Sequence, residues 1–474
     1  MKIKKGAELQ LRISDMAIGG KGLAKVDGFA IFVDQAVPLD EVLIRIIKKK
    51  KKYAEARVIE LIKPSPFRIQ PQCEYSGFCG GCKWQFLNYH QQLVYKQQHV
   101  KDAMEHIGRI HGIKIFPVLG SEKIFGYRNK MEFSCSDRRW LLPKEMGLQG
   151  RQAGFGLGLH VPGTFYKVLD IKACRLQPDL GNRILDDIRD FIKKSSEPVY
   201  GLRTHEGFWR FIMLRHSVAF DQWMVNIITK SCKQEIIQPL ADLLMEKYPA
   251  VVSVINNVTD SKAGVAVGDY EICLAGENII REKIGSFEFE ISANSFFQTN
   301  TKGAKNLYEV VKEYAQLSGR EIVWDLYCGT GTIGIFLADK AQKIFGFEMV
   351  ESSILDAKNN CAKNNITNCT YILGDIRFNM SMLSQKPTEK PNVIKPDIII
   401  IDPPRSGMHK DVIKQILEIA PERIVYVSCN PATMARDINL LYECYDISKI
   451  QPVDMFPHTY HIESVAQLNL REAE

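Results

Sequence analysis

The sequence predicts an α/β protein in which a doubly wound, Rossmann-like domain at the C-terminal end follows two smaller units. Three observations support this prediction. From about residue 285 onwards, near-continuous apolar runs alternate with helical patterns, which is typical of parallel strands buried on both faces. The first 62 residues instead hold short β-segments punctuated by glycines. Between these two parts, strand and helix patterns are mixed and three cysteines lie close together.

Length and composition set the domain organisation. A chain of 474 residues is too long for a single hydrophobic core. We therefore predict a small β-barrel over residues 1–62, a central α+β domain over 63–284 and the doubly wound domain over 285–474. No apolar stretch approaches the ~18 residues needed to span a bilayer, and the N-terminus lacks the apolar segment of a signal peptide. We expect a cytoplasmic monomer with no membrane contact.

The N-terminal barrel carries an excess of positive charge. Residues 1–62 contain 13 Lys and Arg against 8 Asp and Glu, within a chain of net charge +7. Five consecutive lysines (48–52) lie in the predicted turn between the last two strands. A lysine run is usually a solvated loop, but beside a barrel of the oligonucleotide-binding type it could equally contact nucleic acid. The charge therefore indicates a polyanionic partner without identifying it.

The cysteine cluster opens the central domain. CEYSGFCGGC places Cys73, Cys79 and Cys82 within ten residues, and Cys174 follows in ACRLQP. Three thiols around glycines are hard to explain as core packing, and cysteines in a cytoplasmic chain favour metal or catalytic roles over disulfides. Zinc and a [4Fe–4S] cluster both accept four thiolates. The spacing alone does not decide between them.

Two further patterns mark the central domain. A long helical pattern follows the cysteines at NYHQQLVYKQQHVKDAMEHIG (88–108). The segment GYRNKMEFSCSDRRW (126–140) is both basic and aromatic, which suits contact with phosphates and bases. Arg128 and Lys130 are therefore candidate RNA-binding residues, although an exposed strand edge would have the same composition.

Five apolar runs form the predicted parallel sheet: EIVWDL, KIFGFE, TYILGD, PDIIIID and RIVYVSC. The first leads into the turn CGTGT, where Gly329 lets the backbone approach a ligand. Glu348 ends the second run, at the position from which a carboxylate reaches ribose hydroxyls, and Asp375 follows the third. Only part of the dinucleotide-binding glycine motif is present, so S-adenosylmethionine fits better than NAD.

The turn IDPPRSGM (401–408) follows the fourth run. Prolines after a strand fix a rigid turn, and Asp402 is expected to project into the cleft beside the cofactor. Enzymes that methylate amino groups follow such a turn with an aromatic residue, whereas this chain has Arg405. The segment MSMLSQKPTEKPNVIKP (380–396) is predicted to be a surface loop inserted before this run.

The fifth run delivers Cys429 to the same edge of the sheet. A free cysteine there can be a buried apolar residue. A nucleophilic thiol is needed, however, to methylate C5 of a pyrimidine, because that carbon is a poor nucleophile until a thiolate adds to C6. A base must then remove the C5 proton. The segment FPHTYHIESVA offers His458, His461 and Glu463. Glu463 is the preferred candidate, and His461 is nearly as plausible on chemical grounds.

Taken together, these segments resemble the bacterial RNA uracil-C5 methyltransferase family, and most closely its 23S ribosomal RNA members. The resemblance covers nearly the whole chain. The family's order is followed by CEYSGFCGGCKWQ, SANSFFQTN (292–300), DLYCGTGT, the strand ending in Glu348, IDPPRSG, VSCNPAT and HTYHIESV. The front of the chain resembles the TRAM-like RNA-binding barrel of these enzymes. The resemblance thus implies a class I methyltransferase fold for the C-terminal domain.

The resemblance also implies a role for each site residue. Cys429 would be the nucleophile, and Glu463 rather than His461 would be the base. The implied contacts to S-adenosylmethionine are Gln298, Tyr327, Glu348 and Asp402. The implied ligands of a [4Fe–4S] cluster, with zinc as the alternative, are Cys73, Cys79, Cys82 and Cys174. Gln298 does not stand out on physical grounds, and the insertion at 380–396 is longer than the family pattern leads us to expect.

The implied reaction is methyl transfer from S-adenosylmethionine to C5 of a uridine in 23S ribosomal RNA. The nearest alternative is the same reaction on transfer RNA. A cytosine-C5 methyltransferase would also use a thiol, but the D-P-P-R turn and Glu463 argue against it. In a different class, the chain could be a non-catalytic RNA-binding protein that keeps the fold.

Overall fold

The structure, a computed structural model, describes residues 3–146, 154–383 and 394–472. Its first part is a six-stranded sheet with the order β1-β5-β6-β4-β3-β2. The strands are β1 (Glu8–Arg12), β2 (Asp15–Met16), β3 (Gly22–Val26), β4 (Phe29–Asp34), β5 (Glu41–Lys49) and β6 (Tyr53–Lys63). Alternate residues of β5, namely Val42, Ile44 and Ile46, are buried in an apolar core that belongs to this sheet alone. The lysine run ends β5 and forms the exposed turn to β6, as predicted.

The central part is an eight-stranded sheet with the order β14-β13-β12-β11-β7-β9-β10-β8. Its strands are β7 (Lys130–Ser136), β8 (Arg139–Trp140), β9 (Gly156–His160), β10 (Val168–Asp170), β11 (Trp209–His216), β12 (Trp223–Thr229), β13 (Val251–Val258) and β14 (Tyr270–Gly276). The helices of this region are α1 (Tyr89–His106), α2 (Asp179–Lys194), α3 (Gln234–Lys247) and a 3-10 turn at Pro143–Glu145. Helices α2 and α3 contribute Ile188 and Leu240 to the core of this sheet.

The C-terminal part begins with the hairpin β15 (Ile279–Ile284) and β16 (Phe287–Ser292), followed by a seven-stranded sheet. The strands of that sheet are β17 (Ile322–Leu326), β18 (Lys343–Glu348), β19 (Cys369–Leu373), β20 (Ile398–Ile401), β21 (Arg423–Ser428), β22 (Tyr445–Val453) and β23 (Glu463–Leu470). The helices are α4 (Thr301–Ala315), α5 (Thr332–Leu337), a 3-10 turn at Ala338–Lys340, α6 (Glu351–Lys363), α7 (Ile376–Leu383), α8 (Lys410–Ile419) and α9 (Pro431–Leu441).

The strand order β19-β18-β17-β20-β21-β23-β22 confirms the predicted doubly wound fold. The first five strands are parallel to one another, as expected from their apolar runs. Strands β22 and β23 are antiparallel additions that the sequence analysis did not predict. Polar residues within and between these two strands obscure the apolar pattern by which a strand is recognised in the sequence. Strand β23 carries Glu463, so this addition supplies one side of the candidate site.

Helices cover both faces of the C-terminal sheet. On one face, α4, α5 and α6 bury Leu307, Ile335 and Ala357 against the strands. On the other face, α8 and α9 bury Ile416 and Met434. Burial on both sides explains why the five runs are apolar throughout and could be recognised in the sequence.

Helix α1 ties the central region to the C-terminal sheet. It begins after Asn88, whose side-chain oxygen accepts the N–H of Gln91. Its residues Val100 and Met104 lie in the core shared with α8 and α9, although the helix follows the cysteine segment in the chain. The predicted helix is therefore confirmed, and its packing partner is the C-terminal sheet.

Two further predictions concern the loop at 380–396 and membrane-spanning segments. The loop predicted at 380–396 lies largely on residues 384–393, outside the described residues, while residues 380–383 belong to helix α7. Among the helices that the structure describes, none combines the length and the apolar character needed to cross a membrane.

Candidate active site

The candidate residues meet where the parallel strands end. Tyr327 directly follows β17, Glu348 is the last residue of β18, Asp402 directly follows β20 and Cys429 directly follows β21. The registers align these ends, since Leu326 pairs with both Phe347 and Ile401. Side chains from four strands therefore surround one cleft at the carboxyl edge of the sheet, where ligands bind in folds of this type.

The Gly-rich turn after β17 is shaped by backbone conformation. Tyr327, Gly329 and Gly331 all have positive φ, at 62°, 53° and 72°. For Tyr327 this conformation is strained, and such strain often accompanies a binding site. A Cβ atom at Gly331 would overlap the hydroxyl group of Tyr371. Glycine is required here because the turn packs directly on Tyr371 of β19 and adopts a positive φ.

Glu348 is fixed beside this turn by backbone donors. One carboxylate oxygen accepts the N–H of Gly329 at 3.0 Å, and the other accepts those of Met349 and Val350 at 2.8 and 2.9 Å. A carboxylate held in this way keeps lone pairs available for ribose hydroxyls. Glu348 ends its strand, as predicted, and lies beside the Gly-rich turn.

Asp325 is a buried carboxyl that the sequence analysis did not assign. One oxygen accepts the N–H of Gly334 at 3.1 Å, whereas the other has no hydrogen-bond partner among the described residues. Burial, together with the charges of Asp402 and Glu348, raises the pKa of Asp325 to about 8. Its place within DLYCGTGT, two residues before the strained Tyr327, was the available signal.

Asp375 follows β19, and Gln298 precedes α4. The carboxylate of Asp375 is bound by Arg377, which lowers its pKa. Gln298 lies in the loop that joins β16 to α4, and its carbonyl accepts a hydrogen bond of 2.9 Å from Asn129. The same loop lies over the Gly-rich turn, because Thr330 donates to the carbonyl of Phe296 at 3.2 Å. Gln298 therefore lies in a loop that packs on the Gly-rich turn.

The antiparallel pairing of β21 and β23 brings Cys429 next to Glu463. Ser428 pairs with Ser464, so the residues that follow and precede them lie at the same end of the ladder. Cys429 is half-buried and Glu463 is buried. Asn430 caps α9 by accepting the N–H of Ala432 at 3.1 Å, so the thiol lies at a helix N-terminus, which favours a thiolate.

Burial and neighbouring charges set the protonation of this cluster. Burial raises the pKa of Cys429 to about 11, with a contribution from the Glu463 charge. Burial raises the pKa of Glu463 to about 8, supported by the charge of Asp402, whose own pKa rises to about 6 through burial. Arg405 lowers the pKa of both Cys429 and Glu463. In the sequence, Arg405 argues only against amino-group methylation, and its effect on these two pKa values is evident only in the folded protein.

His461 lies near the same cluster. Burial and the charge of Arg405 lower its pKa to about 4, so the imidazole is neutral at neutral pH. The charges of Lys96 and Arg128 contribute to this shift. His461 and Glu463 thus differ in kind, because one is a neutral imidazole and the other is a carboxyl that ionises near neutral pH.

The segment 454–461 that leads to Glu463 is held by residues from the first third of the chain. Lys96 and Asp454 form a fully buried ion pair of 2.7 Å. The backbone N–H of Trp84 donates to the carbonyl of His458 at 2.9 Å, and Tyr127 donates its hydroxyl to Pro457 at 3.1 Å. We call these contacts the clamp.

The four predicted cysteine ligands line one cavity of about 540 Å³; they are Cys73, Cys79, Cys82 and Cys174. Gly81 donates its N–H to the sulfur of Cys79 at 3.3 Å, and donors of Tyr75, Gln85 and Leu176 face the other three sulfurs. Thiols surrounded by N–H donors suit a thiolate-bound metal group. As the described side chains stand, no three His, Cys, Asp or Glu converge as ligands of one metal ion.

Arg128 and Lys130 lie at the cysteine cavity, and Asn129 between them donates to the carbonyl of Gln298. Both line the cavity, together with Thr299, the neighbour of Gln298. Lys130 pairs with Glu132 at 2.6 Å, and Arg128 donates to the carbonyl of Lys130 at 3.2 Å. The cysteine cavity and the cleft are therefore adjacent parts of one surface.

Family models match two parts of the chain. Residues 269–471 match the model described as "tRNA (Uracil-5-)-methyltransferase", and residues 2–59 match the TRAM domain. The first match contains the whole cleft, and the second coincides with the six-stranded N-terminal sheet.

Curated relatives are similar over nearly their full lengths. An "Uncharacterized RNA methyltransferase" from Bacteroides thetaiotaomicron is 41% identical over 460 residues, which cover 96% of this chain and 100% of the relative. A similarly named protein from Chlorobaculum tepidum is 41% identical over 474 residues, which cover 98% of this chain and 97% of the relative.

A solved structure is similar in fold and sequence. The tRNA (uracil-54, C5)-methyltransferase of Pyrococcus abyssi, in complex with S-adenosyl-L-homocysteine, is 29% identical with a TM-score of 0.75. The similarity covers 97% of this chain and all of that chain.

Proposed function

Since the chain belongs to the family of S-adenosylmethionine-dependent RNA (uracil-5-)-methyltransferases, we propose that it methylates a uridine of 23S ribosomal RNA and that Cys429 and Glu463 carry the reaction. The observation that carries the proposal is the pairing of β21 with β23, which sets a thiol beside a carboxyl at the mouth of the cleft.

In the proposed reaction, the target uridine leaves its RNA stack and its ring lies over Cys429. The thiolate sulfur bonds to C6, and the electron pair displaced from the C5–C6 bond makes C5 nucleophilic. C5 then attacks the sulfonium methyl group, releasing S-adenosylhomocysteine. Glu463 takes the proton from C5, the double bond re-forms and the sulfur leaves C6. Glu463 then releases the proton to solvent, which restores the carboxylate, and the sulfur has left as the thiolate that began the cycle.

The cofactor is proposed to lie across the Gly-rich turn. Glu348 would accept hydrogen bonds from the ribose, and Asp325, with its unpartnered oxygen, would accept from the amino group of the methionine part. Gln298, Tyr327, Gly329 and Asp402 would complete the pocket. Asp375 would act less directly, because Arg377 already occupies its carboxylate.

The charges of the cleft match the roles of Cys429 and Glu463. Arg405 favours the thiolate by charge and by a side-chain hydrogen bond. Once ionised, a carboxylate whose pKa is about 8 is a stronger base than an ordinary glutamate, since basicity rises with pKa. His461, with a pKa of about 4, is a weaker base at the same edge. These contrasts support Glu463 over His461.

The cysteine cavity is proposed to bind a [4Fe–4S] cluster through Cys73, Cys79, Cys82 and Cys174. The chemistry of the donor set suits this group, because four thiols line one cavity and N–H donors face their sulfurs, and binding would have to draw the thiols together, since no three of them converge in the described residues. The bound group would tie residues 73–82 to Cys174 and so hold the surface beside the cleft. Zinc on the same thiols is the alternative, and iron and sulfide analysis of anaerobically purified protein distinguishes the two.

A uridine of transfer RNA is a second candidate substrate. The similarity to the Pyrococcus abyssi enzyme, whose name specifies tRNA, favours it. Methylation assays on a 23S ribosomal RNA transcript and on a tRNA pool, with tritiated S-adenosylmethionine, compare the two directly. Incorporation into tRNA alone would reject the ribosomal substrate.

The mechanism is tested with RNA that contains 5-fluorouridine. Fluorine cannot leave as a cation, so the methylated adduct is expected to stay bound to Cys429 and to survive a denaturing gel. Cys429→Ala is expected to abolish the adduct. Cys444→Ala, which alters another half-buried cysteine beyond the far end of α9, is the control and is expected to retain it. An adduct that persists in Cys429→Ala would refute the assignment.

A further inference from the structure

We propose that the central sheet carries a second RNA-contacting site, a pocket that holds an unpaired nucleotide flanking the target uridine. The pocket has a volume of about 510 Å³ and lies at the edge strand β8. Its lining combines the aromatic rings of Trp140 and Tyr166 with the cations of Arg138, Lys167 and Arg203. This inference rests on the proposed function in one respect, because the proposed function identifies the ligand as RNA.

Cations stack on both aromatic rings of the pocket. The ammonium nitrogen of Lys167 lies 4.0 Å from the ring centre of Trp140, and the guanidinium carbon of Arg203 lies 3.8 Å from that of Tyr166. A guanidinium on an aromatic ring presents a further planar face on which a base can stack. Because every base has a π-face, such a pocket accepts any base sequence.

The charge of the pocket suits a phosphate next to that base. Arg138 and Arg203 are exposed, and Lys167 is half-buried. Over the described ranges, no carboxylate lies within ion-pairing distance of these three cations. One carboxylate, that of Asp137, also lines the pocket. It can accept hydrogen bonds from a base amino group or a ribose hydroxyl, so it fits a nucleotide better than a free phosphate.

The pocket continues the surface that begins at the cleft. The loop between β9 and β10 lines the cysteine cavity with residues 161–164 and this pocket with Tyr166 and Lys167. Phe165, between these two groups, is exposed. RNA that passes from Cys429 over Arg128 and the cysteine cavity would therefore reach the pocket along one continuous loop.

Trp140 provides a direct readout of binding. The other four tryptophans are buried; they are Trp84, Trp209, Trp223 and Trp324. A change in tryptophan emission on adding RNA therefore reports on Trp140. An oligoadenylate of about ten residues has no uridine for the transfer site and is long enough for a stacking site. We expect saturable quenching that weakens with salt and is lost in Trp140→Phe.

Arginine variants test the stacked cation. Arg203→Ala is expected to weaken oligoadenylate binding roughly tenfold through loss of base stacking. Arg281→Ala is the matched control, because its guanidinium also faces an exposed ring, that of Phe220, at 5.6 Å and outside the pocket. Quenching that persists in Trp140→Phe, or equal affinities of the two arginine variants, would overturn the proposal.

Methylation measured in parallel separates this inference from the proposed function. Arg203→Ala is expected to raise KM for a long RNA substrate roughly tenfold and to leave kcat unchanged, since the pocket binds flanking RNA only. Wild-type protein that binds oligoadenylate at Trp140 but methylates no uridine would reject the proposed function and keep the pocket. Methylation with an unchanged KM in Arg203→Ala would reject the pocket and keep the function.

Discussion

Cys429 and Glu463 lie in a cleft where burial favours the neutral form of both groups. With a pKa of about 11, the thiol is almost fully protonated at neutral pH in the RNA-free protein. Arg405 and the N-terminus of α9 act in the opposite direction. The reactivity of Cys429 therefore depends on how strongly Arg405 and the N-terminus of α9 stabilise its thiolate.

Replacing Arg405 by leucine is expected to raise the pKa of Cys429 further, because its charge and hydrogen bond lower that pKa. Thiolate is the reactive form, so kcat/KM should fall at neutral pH and recover as the pH rises. The pH dependence of Cys429 alkylation, followed by peptide mass spectrometry, measures the shift. Arg405→Lys should restore part of the effect by charge alone. An alkylation profile that does not move to higher pH in Arg405→Leu would contradict the expectation.

Glu463→Gln is expected to stop the reaction after methyl transfer, because an amide cannot take the proton from C5. Turnover should fall by ~10²–10⁴-fold, and a covalent complex with ordinary, fluorine-free RNA should accumulate on a denaturing gel. Asp402→Asn is the matched comparison. It removes a neighbouring carboxyl from the proposed cofactor pocket, so it should weaken S-adenosylmethionine binding without accumulating the complex. Normal turnover by Glu463→Gln would remove Glu463 as the base.

Several residues of the site could be identified from the sequence and others could not. Glu348, Asp402 and Cys429 directly end or follow apolar runs, so the fold alone predicts that they meet. Gln298 lies in a loop whose path depends on contacts with Asn129 and Thr330, which no local pattern encodes. The effect of Arg405 on the pKa of Cys429 and of Glu463 also depends on tertiary packing, which no local pattern encodes.

At the level of elements, the Gly-rich turn is a close contact between β17, α5 and β19. Gly331→Ala is expected to weaken S-adenosylmethionine binding, because its methyl group would displace Tyr371 and with it the turn. Gly319→Ala is the control, since Gly319 also has positive φ (97°) but open space around its Cβ position. The difference between the two Kd values, measured by calorimetry, isolates the steric contact from backbone strain. Equal Kd values for the two variants would argue against a role for the contact between residue 331 and Tyr371.

The buried ion pair of the clamp joins helix α1 to the chain between β22 and β23. Lys96→Met is expected to lower the free energy of unfolding by about 3–5 kcal/mol, because it leaves Asp454 buried without its cation. Lys247→Met, which breaks a surface pair of the same 2.7 Å length with Asp187, should cost less than about 1 kcal/mol. Urea denaturation measures the free energy of unfolding of both variants. A loss in Lys96→Met as small as that in Lys247→Met would show that the buried ion pair contributes little to stability.

The parallel strands were easier to predict than their antiparallel neighbours. A strand buried on both faces is apolar along its whole length, whereas β22 and β23 include polar residues such as Lys449 and Gln467. Helix α1 was predicted as a helix, but its position was not, because amphipathic periodicity shows that a face is buried and not against which sheet.

At the level of the whole molecule, RNA binding is expected to depend strongly on salt. Replacing the exposed lysines 50–52 by glutamine should weaken RNA binding and reduce the slope of log K against log salt by roughly 0.7 for each phosphate that is no longer neutralised. Affinity for S-adenosylmethionine should not change. Replacing the same lysines by arginine keeps the charge and should keep the slope. An unchanged slope in the glutamine variant would identify the lysine run as a solvated turn.

The clamp also constrains the exchange of domains between related proteins. Trp84 donates its indole N–H to Gly20 of the N-terminal sheet at 3.3 Å and its backbone N–H to His458, near the candidate base. One tryptophan thus touches the front of the chain and the strand connection that ends at Glu463. A front module transplanted from a relative would have to bring a matching surface for His458, not only a suitable linker.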